Sequence, residues 1–170
     1  PLASNAGSNS HKAGYDLCFS CPKSVSVAWA MADDDMQQKI ANAHDLAVKA
    51  SLDYLERNAF CGRDRNGAQP LKGIVTATYQ HGTSRELDPQ LHTHCVVANL
   101  GLRADGTVCA VDFDSRFKIV GGGLYRAELC LQLQKIGLDI ERDGKSFRLT
   151  HIPDKLCKTF SKRRAQIVEY

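Results

Sequence analysis

His81-Gly-Thr-Ser-Arg-Glu-Leu-Asp-Pro-Gln-Leu-His92-Thr-His94 holds three of the chain's six histidines. Side chains on a β-strand alternate between faces, so His92 and His94 point the same way. The residues between His81 and His92 include Gly82, Ser84, Asp88 and Pro89, the composition of a loop. Both flanks read as strands, Gly73-Ile-Val-Thr-Ala-Thr-Tyr-Gln before and Cys95-Val-Val-Ala-Asn-Leu after. A long hairpin sets His81 across from the His92/His94 pair, so that three imidazoles converge on one point. Three neutral nitrogen donors with coordination positions left open describe a catalytic metal site better than a closed structural one. The spacing also admits a plainer arrangement, two exposed histidines on an edge strand with His81 incidental.

Upstream, residues 1–13 are small and polar and read as a linker or disordered lead, with His11 solvated. Gly14-Tyr-Asp-Leu-Cys-Phe-Ser alternates as a strand, with Tyr15, Leu17 and Phe19 on one face and Asp16, Cys18 and Ser20 on the other. An acid in mid-strand asks for a partner, unless Asp16 merely faces water. Pro22 then suits the first turn of a helix over 23–31, with a serine upstream to cap it. Lys23 and Ser24 lie at that N-terminus, where backbone N–H groups favour phosphate; a solvated lysine beside a cap fits equally well. A second helix runs from Asp33 to about Asn58, with Met36, Ile40, Ala43, Ala47, Ala50 and Tyr54 as its buried stripe and His44 partly buried beside it. Residues 61–70 read as a basic, glycine-containing loop.

Downstream, a turn at 103–107 leads to a short third strand, Val108-Cys-Ala-Val-Asp. Residues 115–137 are helical, with Ile119, Leu124, Leu129, Leu133 and Ile136 as the apolar stripe. Gly121-Gly-Gly costs about 2–3 kcal/mol of propensity, which predicts a helix start or kink there. Residues 138–150 form a hairpin around Asp143-Gly144. A last helix starts at Ile152-Pro-Asp-Lys, with Lys158, Lys162, Arg163 and Arg164 on its surface. Hairpins outnumber crossovers, so the fold class is α+β with a largely antiparallel sheet.

The composition fits one soluble globular domain: 170 residues, 43% hydrophobic and 24% charged. A net charge of +3 is mild support for an anionic partner. No apolar run nears the roughly eighteen residues of a membrane span. The seven cysteines follow no repeating spacing, and Cys18-Phe-Ser-Cys21 has no second pair, so reduced thiols in a cytoplasmic protein are expected. A start at Pro1 without an apolar leader reads as a fragment or processed piece.

Gly14-Tyr-Asp-Leu-Cys-Phe-Ser-Cys-Pro-Lys-Ser-Val-Ser-Val resembles the G-x-D-L-T-F-S-x-P-K-S-V-S block of the TrwC/TraI-type (MobF) conjugative relaxases. The stretch from His81 to His94 is similar to their HUH histidine motif, and Gly123-Leu-Tyr-Arg-Ala-Glu-Leu and Phe160-Ser-Lys-Arg also match family blocks. The resemblance runs in order from about Gly14 to the C-terminus, so the core is taken as 14–170.

The resemblance implies a five-stranded antiparallel palm (the HUH/relaxase fold) covered by helices. It implies that His81, His92 and His94 bind one divalent metal ion, Mg, Mn, Zn, Ni or Co, and that Asp16 orients one of these histidines. It implies metal-dependent nicking and rejoining of one strand at a transfer origin by tyrosine transesterification. Lys23 and Arg85 become candidates for DNA phosphate contacts. Single-stranded or hairpin DNA, a helicase region in the full-length protein and the conjugation machinery are the implied partners, in the bacterial cytoplasm and without a membrane.

One departure stands out. The family's nucleophilic tyrosines lie well upstream of the G-x-D-L block, and no tyrosine precedes that block here. The catalytic tyrosine is therefore expected to be absent, with the chain truncated before it and inactive alone. Tyr79, two residues before His81, is a remote substitute. The alternative is a non-catalytic single-stranded-DNA-binding module with a vestigial relaxase fold.

Overall fold

The valine-rich stretch after His94 continues a strand that begins before His92, and this strand is the centre of the molecule. The computed structural model describes residues 12–65 and 67–162. In chain order the elements are β1 (Gly14–Ser20), α1 (Lys23–Met31), α2 (Asp34–Asn58), β2 (Phe60–Asp64), β3 (Gly67–Pro70), β4 (Gly73–Thr83), β5 (Pro89–Leu102), β6 (Val108–Cys109), β7 (Val111–Phe113), α3 (Phe117–Lys135), β8 (Ile140–Asp143), β9 (Ser146–Leu149) and α4 (Asp154–Thr159). The fold is α+β and every strand pairing is antiparallel.

The main sheet has the order β1-β5-β4, with β6 on the far end of β5. Period-two alternation sorts its faces. On β5, Leu91, Thr93, Cys95 and Val97 are buried. Leu91, Cys95 and Val97 join Phe19 of β1 and Val25, Val27, Ile40, Leu129 and Leu133 of the helices in one core. Each large aliphatic side chain buried in this way contributes about 1.5–3 kcal/mol. The opposite face carries Asp16, Cys18, Ser20, His81, Val96 and Tyr79, all exposed. Helices thus cover one face and leave the histidine face open.

Several expectations are corrected. The palm implied as five-stranded has four strands among the described residues. The reason lies at 108–113, where Ala110 splits the expected third strand; β6 pairs with β5, whereas β7 pairs with β2 in a separate sheet, β3-β2-β7. Residues 61–70 are not a loop but the hairpin β2–β3, closed by Asp64↔Gly67. The buried stripe of α2 is rotated to Ile40, Ala43, His44, Ala47, Val48, Ser51 and Leu55.

On α3 the buried positions are Gly121, Tyr125, Leu129 and Leu133, while Ile119 is 83% exposed. The helix neither starts nor breaks at the glycines. A Cβ on Gly121 would lie 3.0 Å from Leu55, and Ser51 Oγ donates to the Gly121 carbonyl at 2.7 Å. The glycine is a contact surface between α2 and α3, which outweighs its low propensity.

No serine side chain caps α1; Pro22 is its N-cap. Ser24 and Ser26 instead accept from the amides of Leu149 and Leu91, which ties α1 to β9 and β5. The last helix ends at Thr159, so Lys162 lies beyond it, and Arg163 and Arg164 fall outside the described residues, as does the 1–11 part of the lead with His11. Among the described residues no helix is long and apolar enough to cross a membrane.

Candidate metal centre

The expected ten-residue loop between the histidines is much shorter, because both strands run on into it. His81 on β4 is the direct register partner of His92 on β5. Cross-strand partners on one face have Cβ atoms about 4.5–5.5 Å apart. His94, two residues along, shares that face. The ring centroids lie 5.2 Å apart for His81–His92, 5.5 Å for His81–His94 and 5.2 Å for His92–His94. One nitrogen from each of the three imidazoles falls within 4.8 Å of the other two, at an exposed, a buried and a half-buried position.

Two of the rings are held from behind. His92 Nδ1 lies 2.8 Å from the Gln90 carbonyl oxygen, so it carries the proton and donates. His94 Nδ1 lies 2.8 Å and 3.0 Å from the two Asp16 carboxylate oxygens. The register partner of Asp16 is Val96 rather than His94. Its carboxylate therefore reaches the imidazole along the cross-strand diagonal. Holding Nδ1 leaves Nε2 of both rings as the free donor atom, the pattern that orients a metal-ligating histidine.

The turn between the strands is built to hold them in register. Ser84 Oγ accepts from the amides of Glu86 (3.3 Å) and Asp88 (3.2 Å), while the Ser84 amide donates to the Asp88 carbonyl at 2.9 Å. Leu87 takes a left-handed φ of 60° at the tip. Asp88 is 2% exposed and accepts from the Lys162 amide at 2.8 Å. The Lys162 ammonium stands 3.7 Å from its other oxygen. A Cβ on Gly82 would come within 2.5 Å of the Trp29 indole, so the ring of α1 lies flush against the backbone beside His81.

The two phosphate candidates differ. Arg85 is exposed on the turn. Lys23 is half-buried and donates to the Pro89 carbonyl at 2.9 Å, which fastens α1 to the start of β5. Burial holds its pKa below the usual lysine range, although the Asp88 carboxylate opposes this.

The tyrosines separate equally clearly. Tyr15 packs on Phe60 and Phe113 behind the sheet and donates to the Val111 carbonyl at 3.3 Å. Tyr54 packs on Phe117, Tyr125 is buried, and Tyr170 lies outside the described residues. Tyr79 is 55% exposed and is the direct register partner of His94.

Behind the site, sequence reasoning missed a buried polar cluster. His44, on α2, is fully buried. Its Nε2 lies 2.8 Å from Thr93 Oγ1, and its Nδ1 lies 2.8 Å from Tyr125 OH and 3.3 Å from Cys21 Sγ. Desolvation, with a smaller contribution from His92, lowers its pKa to about 4. Burial raises the Cys21 thiol to about 12 and pushes the Tyr125 phenol far upward. The signal was present: His44 follows Ile40 by four residues and precedes Val48 by four, a buried spacing on a helix.

Known proteins share this fold. The TrwC relaxase family model matches residues 1–170. The multifunctional conjugation protein TraI of Escherichia coli is 34% identical over 96% of the chain, and TraI of strain K12 is 35% identical over the same share. The chain spans about a tenth of the length of these curated relatives. A metal-bound structure of the conjugative relaxase TrwC with oriT DNA superposes with a TM-score of 0.85 at 34% identity, covering 99% of this chain and 64% of that one. A copper-bound TrwC structure with oriT DNA gives 0.84 at 36%, covering 99% and 62%. TrwC with a 27-mer comprising the recognition hairpin and the cleavage site gives 0.82 at 37%, covering 92% and 57%.

Proposed function

The chain belongs to the TrwC relaxase family, and on that footing we propose that it is the metal- and DNA-binding core of a site- and strand-specific DNA relaxase from a conjugative element. The observation that carries this reading is the convergence of His81, His92 and His94 on an open sheet face, with Asp16 behind His94.

Three neutral imidazoles suit one divalent ion, and Mn, Zn, Ni or Co better than Mg. A relative holding copper at a related fold agrees with a nitrogen-rich donor set. A bound dication would supply Lewis-acid polarisation of a phosphate oxygen. The chain's own residues do the rest. Asp16 and the Gln90 carbonyl fix two rings, and the Ser84–Asp88 turn holds the strands that carry all three. Arg85 stands free on that turn to meet a DNA phosphate, and Lys23 braces the hairpin in place.

The proposed reaction is a transesterification at the transfer origin. A tyrosine oxygen bonds to the scissile phosphorus as the P–O3′ bond breaks; the phenol loses its proton, the 3′ oxygen gains one, and reversal rejoins the strand. Tyr15 packs on Phe113, Tyr54 packs on Phe117, and Tyr125 is buried against His44 in the core rather than on the face of His81, His92 and His94. In this reading the nucleophile comes from chain outside these 170 residues, and the fragment alone binds without nicking. Single-stranded or hairpin DNA is the proposed partner, with a helicase region and the conjugation machinery in a full-length protein in the bacterial cytoplasm.

Titration calorimetry with Mn²⁺ or Ni²⁺ is the direct test, wild type against His92→Ala. One ion per wild-type chain and none for the variant is expected. Absence of metal binding together with intact single-stranded-DNA binding would replace this reading with that of an inert DNA-binding module. Nicking of a supercoiled origin plasmid by this chain, abolished by Tyr79→Phe, would overturn the external nucleophile.

A further inference from the structure

The three histidines stand on one face of β5 and β4; the residue between two of them points the other way. Thr93 is 3% exposed and meets the fully buried His44 ring. That ring bridges in turn to Tyr125 and Cys21, and Cys21 Sγ also lies 3.3 Å from Tyr125 OH. Four elements therefore meet behind the metal face: β5 through Thr93, α2 through His44, α3 through Tyr125, and the β1–α1 junction through Cys21. The Cys21 amide further donates to the Leu91 carbonyl at 3.0 Å, one residue before His92.

The protons can be accounted for. A neutral imidazole has one N–H and one acceptor nitrogen. If Tyr125 donates to Nδ1, the Nε2–H donates to Thr93; if the tautomer is reversed, Thr93 donates to Nε2 and Nδ1–H to Tyr125. In either case both ring nitrogens are satisfied and no charge is buried. A buried polar network that is fully satisfied rigidifies its surroundings, and one broken at a single member leaves an orphaned group.

We propose that His44, acting through Thr93 with Tyr125 behind it, is a positioning residue for the metal centre. It fixes the roll and depth of β5 against α2 and α3, and so sets the angle at which His92 and His94 leave the opposite face. Gln90 and Asp16 orient the individual rings, whereas this cluster orients the strand that bears them. Outer-shell partners of metal histidines typically alter affinity by about 10–100-fold. The inference rests on the metal-centre reading above.

The test uses Thr93→Val, which keeps the shape and removes the hydroxyl, Thr93→Ser, which keeps the hydroxyl, and His44→Gln. Ni²⁺ affinity is measured by calorimetry and the ligand field by the visible spectrum of the Co²⁺-loaded protein. Circular dichroism confirms folding of each variant. Thr93→Val and His44→Gln should bind Ni²⁺ at least tenfold more weakly with shifted Co²⁺ bands, and Thr93→Ser should restore both. A folded Thr93→Val with wild-type affinity and an unchanged spectrum would overturn the positioning role while leaving the metal centre intact. Failure of the wild-type protein to bind would instead sink the metal centre itself and the positioning role with it.

Discussion

Asp16 reaches His94 across the diagonal of a strand pair, with both carboxylate oxygens within 3.0 Å of Nδ1. Asparagine at this position keeps an acceptor and loses the charge with which a carboxylate strengthens an imidazole as a metal ligand. Asp16→Asn should therefore weaken divalent-metal binding by about 10–100-fold with little change in thermal stability, since the aspartate side chain is 54% exposed. Calorimetric affinity paired with a melting curve separates these two effects. Gly82 should behave in the opposite way. A methyl there meets the rigid Trp29 indole at 2.5 Å and 2.8 Å, an overpacking that costs about 1–3 kcal/mol. Gly82→Ala should lower the urea midpoint and, by displacing the backbone next to His81, weaken metal binding as well. At this scale the sequence was informative wherever period two operated. Alternation alone placed His92 and His94 on one face, the hairpin reading brought His81 across from them, and the family resemblance gave Asp16 its histidine partner. Lys23 was legible as a cation at a helix start, but its hydrogen bond to Pro89 depends on a contact 66 residues away that local pattern does not encode.

Helix α3 contains three glycines in a row, and the neighbour of each decides what it does. Gly121 faces Leu55, with a would-be Cβ at 3.0 Å, whereas a Cβ built on Gly123 meets no packing neighbour within 4 Å among the described residues. Alanine gains about 1 kcal/mol over glycine inside a helix. Gly123→Ala should thus raise stability by up to about 1 kcal/mol. Gly121→Ala should lower it, because the gain is outweighed when α2 and α3 are pushed apart and the Ser51–Gly121 hydrogen bond lengthens. Denaturant titration of the two single variants provides the comparison, and equal shifts would show that propensity alone governs the segment. The same logic explains which elements sequence reading found. β1, α1, α2 and the β8–β9 hairpin follow from local signals, a capping Asp33, a Pro22 at a helix start and a Gly144 with φ of 56°. The β2–β3 hairpin and the split between β6 and β7 do not, because those short strands exist only through pairing with distant partners.

Taken as a whole, the molecule packs its helices on one side of a sheet and leaves the histidines on the other, so the core and the site share β5. His44 lies on the core side of that strand, and its neutral form carries a pH dependence for the entire fold. Its pKa is about 4 in the folded chain and about 6.5 when unfolded. Above pH 6.5 neither state is protonated and stability is unaffected. As pH falls from 6.5 to 4 the unfolded chain takes up a proton that the folded chain refuses, so unfolding becomes easier. The loss approaches about 3 kcal/mol when the window is fully crossed. Asp45 works in the opposite sense, because burial raises its carboxyl and folding is favoured as it protonates. Asp105, Asp112 and Asp114, held low by Thr107, Arg63 and Arg116, lose their contribution only at still lower pH. The difference between wild type and His44→Gln therefore isolates the histidine. In chelator-treated protein, the urea-derived stability of wild type should fall between pH 6.5 and 5 more steeply than that of His44→Gln, which starts lower. Parallel curves would mean that the His44 ring accepts a proton in the folded state, and that the cluster behind β5 is not the closed, neutral network that its geometry describes.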